Sequence, residues 1–326
     1  MKFPDVIYLL SLAGGFLGTL LTMPFWRWWC RRVGLLDAPG HRKIHHTPIP
    51  LAGGPAVLTG LLLPIAGAWL VLSSGLLDPE TTARLQYGLA RRGGQLACVL
   101  GGALGMVALG GYDDRRELSA GVKLAGQTLL AVLVALSGVR ITLFVPSPAF
   151  SLVVTVLWLL TVTNAVNIMD NMNGLCAGLG VIGMGYFALA AGLAGQYLVT
   201  SLALLMCGAL LGFLPFNFPK ATAFLGDSGS HLVGYLLAVL AILPDFYSTD
   251  HPARWAVLTP LLVLAVPLGD LLMVIYIRWR LGRPIWQGDN NHLSHRLVRR
   301  GLSPTRAVLL IWLLAALLGA PAFVGR

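Results

Sequence analysis

Charge is what this sequence has least of. Only 11% of its 326 residues are charged, where soluble domains carry about 25%. With hydrophobic residues at 56%, a water-soluble fold of this length could not hide its apolar surface, so the solvent must be lipid. Cysteine is also sparse. Cys30, Cys98, Cys176 and Cys207 lie far apart, with no CxxC or metal-type spacing, which argues against a zinc or redox site and leaves packing as their role. There is no Walker-type glycine loop and no GxGxxG, so neither P-loop nor dinucleotide chemistry is indicated. No internal repeat or low-complexity stretch stands out. No small-residue cleavage site precedes Arg27, and the first apolar segment therefore reads as a retained helix.

What is present in abundance is apolar sequence in lengths suited to a bilayer, where each helical crossing needs about 20 residues. Ten such segments recur, at 6–26, 51–74, 95–111, 122–139, 149–166, 175–194, 197–216, 231–247, 255–277 and 305–323. The expected fold is an all-α polytopic membrane protein of about ten transmembrane helices, forming one domain over 1–326. Sixteen of the 23 basic residues fall on one side of that topology, among them Arg27, Arg31, Arg32, Arg115, Arg116 and the late run Arg278–Arg306. The bias makes that side cytoplasmic. The net charge of +10 then points to anionic headgroups among the membrane lipids, and not to nucleic acid.

Polar residues inside such a chain are costly, so their clustering calls for a reason. One cluster runs from Gly40 through Arg42, Lys43 and His45 to Gly53-Gly54. The second is Gly111-Tyr112-Asp113-Asp114-Arg115-Arg116, ahead of Lys123. The third spans Asn164, Asn167, Asp170, Asn171, Met172, Asn173 and Gly174. The fourth joins Asn217-Phe218-Pro219-Lys220 to Phe224-Leu225-Gly226-Asp227-Ser228-Gly229-Ser230. A fifth holds Asp289, His292, Leu293, Ser294, His295 and Arg296. Although orientation was read from Lys and Arg alone, all five stretches fall on the cytoplasmic face. They read as one active site. Oxygen ligands at helix ends suit a hard ion such as Mg²⁺, usually held by one or two carboxylates and substrate phosphates. Nearby Arg, Lys and His suit phosphate oxygens. Together these describe phosphoryl transfer.

At these residues the chain resembles the polyprenyl-phosphate N-acetylhexosamine-1-phosphate transferases, over about Leu36 to Leu310. The Arg42-Lys43-x-His45 run is similar to the family's first cytoplasmic loop, and Asp113-Asp114 to its paired aspartates. Asn164-x-x-Asn167-x-x-Asp170 stands where its Asn-x-x-Asn-x-x-Asp signature stands. Gly226 to Ser230 resembles its metal-binding loop, and His292 to Arg296 its histidine-rich loop. The resemblance implies a UDP-linked amino sugar donor, undecaprenyl phosphate as acceptor, release of UMP, and Mg²⁺, with Mn²⁺ as a substitute. It implies Asp227, Asp113 and Asp114 as metal ligands, and Asp113, Asp114, Asp170, His292 and His295 as catalytic groups. Arg42, Lys43, His45, Lys123, Asn164, Asn167, Asn173, Asn217, Phe224 and Arg296 would bind substrate, Phe224 by stacking on uracil. The short late loop and the Arg-Lys-x-His run resemble the branch that uses UDP-N-acetylglucosamine. A bacterial inner-membrane location follows, and homodimers are common in the family.

Two departures stand out. The family writes Asp-Gly-x-Asp-Gly where this chain has Asp170-Asn171-Met172-Asn173-Gly174, and Ser294 stands where a middle histidine is common. They bear on a rival reading, a relative that uses an altered donor or binds a lipid or nucleotide without turnover. A second rival, from another class, is a secondary transporter. Transporters, however, keep ionisable residues near the midplane at repeat junctions, and here the acids gather at one face. Asp270, inside the ninth segment, should face the protein interior in a structural pairing.

Overall fold

The structure is a computed structural model that describes residues 3–38, 47–244, 246, 254–284 and 289–323. Each of the ten predicted apolar segments overlaps helix, although 231–247 runs past the end of its helix and 255–277 is broken in two. The helices are α1 (Asp5–Val33), α2 (Gly53–Ser74), α3 (Pro79–Arg116), α4 (Ala120–Leu136), α5 (Pro148–Asn167), α6 (Leu175–Leu193), α7 (Tyr197–Asn217) and α8 (Gly226–Leu240), followed by α9 (Thr259–Val263), α10 (Ala265–Arg280), the short α11 (Leu293–Arg299) and α12 (Pro304–Gly319). Seven of them are long and apolar enough to cross a bilayer, and the pair at Ala256–Val263 and Ala265–Arg280, bent by 65°, would make an eighth. At 17 and 15 residues, α4 and α8 reach only about 25 and 22 Å, short of a hydrocarbon core of about 30 Å. The chain is a multi-pass membrane protein.

Its interior is built on small residues, which let helices approach closely where lipid offers no hydrophobic drive to associate. A β-carbon on Gly15 of α1 would lie 2.0 Å from the Leu205 carbonyl of α7, and one on Gly208 of α7 would lie 2.0 Å from the Leu12 carbonyl. The helix at the centre is α8, buried without a break from Ser228 to Leu240 and packed on α2, α3, α5 and α6. Gly102 of α3 makes room for Tyr235 of α8, whose hydroxyl donates to the Val99 carbonyl at 3.0 Å. Large apolar side chains such as Leu21, Trp69, Leu129, Leu157 and Leu272 instead point outward, as a lipid-facing surface requires. Cys30, Cys176 and Cys207 are buried and free, and Cys98 is exposed.

The described residues of the connections α1–α2, α3–α4, α5–α6, α7–α8 and α10–α12 meet at one end of the bundle. A two-residue antiparallel ladder, β1 (Leu36–Asp37) with β2 (Ile49–Pro50), orders the edges of the first connection. The Pro50 carbonyl accepts from the Phe224 amide at 3.0 Å. Gly53 and Gly54 in turn donate to the carbonyls of Phe224 and Leu225 at 2.9 and 3.0 Å. The first and fourth polar clusters are thereby stitched together.

Candidate active site

The site is organised around the first turn of α8. A helix N-terminus leaves backbone amides without partners and favours negative charge. Asp114, at the end of α3, supplies both needs: its Oδ1 accepts from the Asp227 amide at 2.8 Å and its Oδ2 from the Ser228 amide at 3.1 Å. Gly226 enters the turn at φ 72°, where a β-carbon would lie 2.8 Å from the same carboxylate. Only glycine takes that conformation freely beside so close a neighbour.

Held this way, Asp227 is about one-third exposed at the mouth of the site. Its Oδ1 accepts from Asn167 Nδ2 at 2.8 Å, and its Oδ2 meets Lys123 Nζ at 3.0 Å. Asn167 also donates to Ser230 Oγ at 2.8 Å. Lys123 pairs at the same time with Asp113 Oδ2, and Asp113 Oδ1 accepts from the Leu118 amide at 2.7 Å. Three connections of the chain, α3–α4, α5–α6 and α7–α8, thus contribute to one cationic bridge between two carboxylates. The neighbouring acids have separate tasks: Asp113 is buried against the lysine, while both oxygens of Asp114 are committed to backbone.

Asp170 stands close by, and its carboxyl is pushed up to about 8 by burial first and then by the charges of Asp227 and Asp114. Asn164, expected at the substrate, turns instead into a buried layer beneath it. Its Nδ2 donates to Gln127 Oε1 at 2.7 Å, and Gln127 Nε2 lies 3.2 Å from His231 Nε2. Gln127 and His231 are fully buried. Asn217 is likewise turned inward. Its Oδ1 accepts from the Gly174 amide at 2.6 Å and its Nδ2 donates to the Ala223 carbonyl at 3.0 Å, bracketing the third cluster to the fourth.

A further set joins the turn 168–174 to α11. Asp270 accepts the Leu293 amide on Oδ1 at 2.6 Å and meets His292 Nδ1 on Oδ2 at 2.7 Å, capping the short helix and orienting the ring. The interior pairing expected of Asp270 is this one. Ser294 is fully buried and donates to Asn171 Oδ1 at 2.6 Å, while Asn171 Nδ2 donates to the Ile168 carbonyl at 2.8 Å. Asn173 Nδ2 donates to the Pro219 carbonyl at 3.2 Å, a bond an aspartate could not give. The residues that depart from the family pattern therefore hold the turn to its neighbours. The rings of His295 and His292 are 6.4 Å apart. Burial first, then His292 and Arg299, hold His295 below the ordinary histidine range. Arg296 lies against the sulfur of Met273, and Phe224 is half-buried on the rim. Arg42, Lys43 and His45 lie outside the described residues.

Among the described residues, no three His, Cys, Asp or Glu side chains converge as a ready-made metal cage. Of the three expected ligands, Asp113 and Asp227 both face Lys123, while the oxygens of Asp114 accept the amides of α8. Two carboxylates with substrate phosphates nevertheless suffice for Mg²⁺, so the oxygen-only donor set is chemically suited to it.

Sequence reasoning missed Gln127, the bond from Asn167 to Ser230 and the link from Asn171 to Ser294. Each depends on a partner 37 to 123 residues away, and nothing local announces it.

Residues 96–245 match the family described as "Glycosyl transferase family 4". Over 301 residues the chain is 34% identical to a "Probable undecaprenyl-phosphate N-acetylglucosaminyl 1-phosphate transferase" of Bacillus subtilis, covering 90% of this chain and 78% of that one. It is 35% identical to a "Decaprenyl-phosphate N-acetylglucosaminephosphotransferase" of Mycobacterium tuberculosis, over 86% of this chain and 73% of the relative. An "Undecaprenyl-phosphate alpha-N-acetylglucosaminyl 1-phosphate transferase" of Escherichia coli K12 is 27% identical over 95% and 82%. With about a third of its residues shared over most of its length with the first two, the chain belongs to glycosyl transferase family 4.

Proposed function

We propose that this protein transfers an N-acetylhexosamine 1-phosphate, N-acetylglucosamine 1-phosphate first among them, from a UDP-sugar to undecaprenyl phosphate. A phosphate oxygen of the lipid attacks the donor's β-phosphorus, the bond from that phosphorus to the bridging oxygen breaks, and UMP leaves with the electron pair. The observation that carries this reading is Lys123, bridging Asp113 and Asp227 beside Asn167 at the mouth of the site.

A phosphomonoester's second pKa is about 6, so the lipid phosphate is largely dianionic at neutral pH and needs little help in losing a proton. The protein's work is then positioning and charge neutralisation. Lys123 offers a cation for a phosphate oxygen, and Asn167 fixes the carboxylate of Asp227. Asp170 and the ring of His292, held by Asp270, flank the space where the donor would lie. Mg²⁺, when bound, would be held by Asp227 and Asp113 and would offset the charge of the diphosphate. The basic bias of the loops supports a cytoplasmic site in a bacterial plasma membrane, where nucleotide sugars are made.

Turnover of purified protein with undecaprenyl phosphate and Mg²⁺, across a panel of UDP-sugars, tests this reading. Lipid- and metal-dependent UMP release with UDP-N-acetylglucosamine is the expected result. No UMP from folded protein with any donor would sink it.

A further inference from the structure

The long helix α3 ends in the active site, but its other half reaches elsewhere. From Asp113 back to Arg92 the helix rises about 30 Å at ~1.5 Å per residue, the thickness of a bilayer's hydrocarbon core. Arg91 and Arg92 therefore sit at the opposite membrane interface. There the structure has an open cavity of about 420 Å³, lined by Arg91, Arg92, Gln95 and Arg140 on its polar side and by Ile242 and Leu243 beside them. Arg140 lies in the turn after α4, where its Nε donates to the Ala135 carbonyl at 3.0 Å and fixes the head group.

Among the described residues, no acidic side chain lines this cavity. Among the described residues, none of the three arginines forms an ion pair. Three like charges around one hollow repel one another, and they stand at the end of the molecule that the basic bias of the sequence otherwise leaves poor in cations. Guanidinium groups match phosphate oxygens through paired hydrogen bonds. The adjoining apolar wall suits a chain-bearing ligand better than a bare ion.

We propose that this cavity binds the phosphate of an anionic phospholipid in the leaflet opposite the active site. The proposal stands apart from the transfer reaction and is tested without it, by thermal unfolding of the purified full chain in detergent. Adding dioleoyl-phosphatidylglycerol should raise the midpoint by about 5 °C at saturation, and dioleoyl-phosphatidylcholine should not. The increment should vanish in R91Q/R92Q/R140Q, and in R140Q alone it should shrink, which covers the case of a triple variant that folds poorly. Neutralising three exposed arginines elsewhere, as R31Q/R32Q/R300Q, should leave the increment intact. Equal increments in wild type and the cavity variants would overturn the site. The same increment from millimolar inorganic phosphate would overturn the lipid and leave a free anion as the ligand.

Discussion

The carboxylate of Asp114 crosses from the last turn of α3 to accept the backbone amides of Asp227 and Ser228, at 2.8 and 3.1 Å. One acid therefore sets the position of another, and the two members of the Asp113-Asp114 pair are not interchangeable. Replacing Asp114 with Ala should cost about 1–2 kcal/mol of stability, in the range of a lost helix cap, and should lower turnover by displacing Asp227. Thermal unfolding beside a UMP assay would check both. An unchanged midpoint would mean that the cap contributes nothing.

Lys123 is the only cation, among the described residues, that touches Asp113 and Asp227 together. Lys123→Met should reduce kcat by at least ~10²-fold, the scale of a lost electrostatic stabiliser. Near-normal kcat would remove the lysine from the transfer step.

Gly110 and Gly111 are neighbours with opposite tolerances. A β-carbon on Gly110 would sit 2.4 Å from the carbonyl carbon and oxygen of Asp227, whereas one on Gly111 meets only Ser228 Cβ, at 3.9 Å. Gly110→Ala should fold poorly or lose activity, and Gly111→Ala should behave like wild type. Equal behaviour in expression and turnover would contradict the close packing of α3 on α8.

Ser294 and Asn171 should show energetic coupling. Each single change to Ala should cost about 1 kcal/mol, and Ser294→Ala should cost much less once Asn171 is already Ala. A double-mutant cycle on unfolding free energy measures this, and strict additivity would mean that the bond is idle.

The raised pKa of Asp170, at about 8, makes stability depend on pH. The folded carboxyl keeps a proton that the unfolded one loses from about pH 4. Its contribution is thus complete below pH 4 and falls as pH climbs through 8. In chelator-containing buffer, wild type should lose midpoint relative to Asp170→Asn between pH 6 and 9. A constant difference would place Asp170 in ordinary solvent.

Much of this was legible in the sequence because lipid imposes a crude and lengthy signal. Runs of about 20 apolar residues mark helices without any help from tertiary structure, and all ten overlap helix. The far half of α3 escaped notice because Arg84, Arg91 and Arg92 interrupt its apolarity. The break between α9 and α10 lies in a stretch as apolar as any other. In the site, Asp113, Lys123, Asn167 and Asp227 could be picked out by residue type at helix ends. Asn164 and Asn217 had the right chemistry but turn inward, since an amide can satisfy buried backbone as well as substrate. Orientation of that kind is decided by packing, which sequence spacing does not report.

The glycine seam around α8 has a consequence for descent. Gly54 lies where a β-carbon would come within 2.3 Å of Ser228 Oγ, Gly110 where one would meet Asp227, and Gly229 where one would meet Leu225 and the Gly54 backbone. A side chain added at any of these positions presses on the first turn of α8, so selection has few neutral steps available there. The turn around Asn171 and Asn173 and the start of α11 meet through side-chain bonds instead, so room for variation lies there and not along the seam.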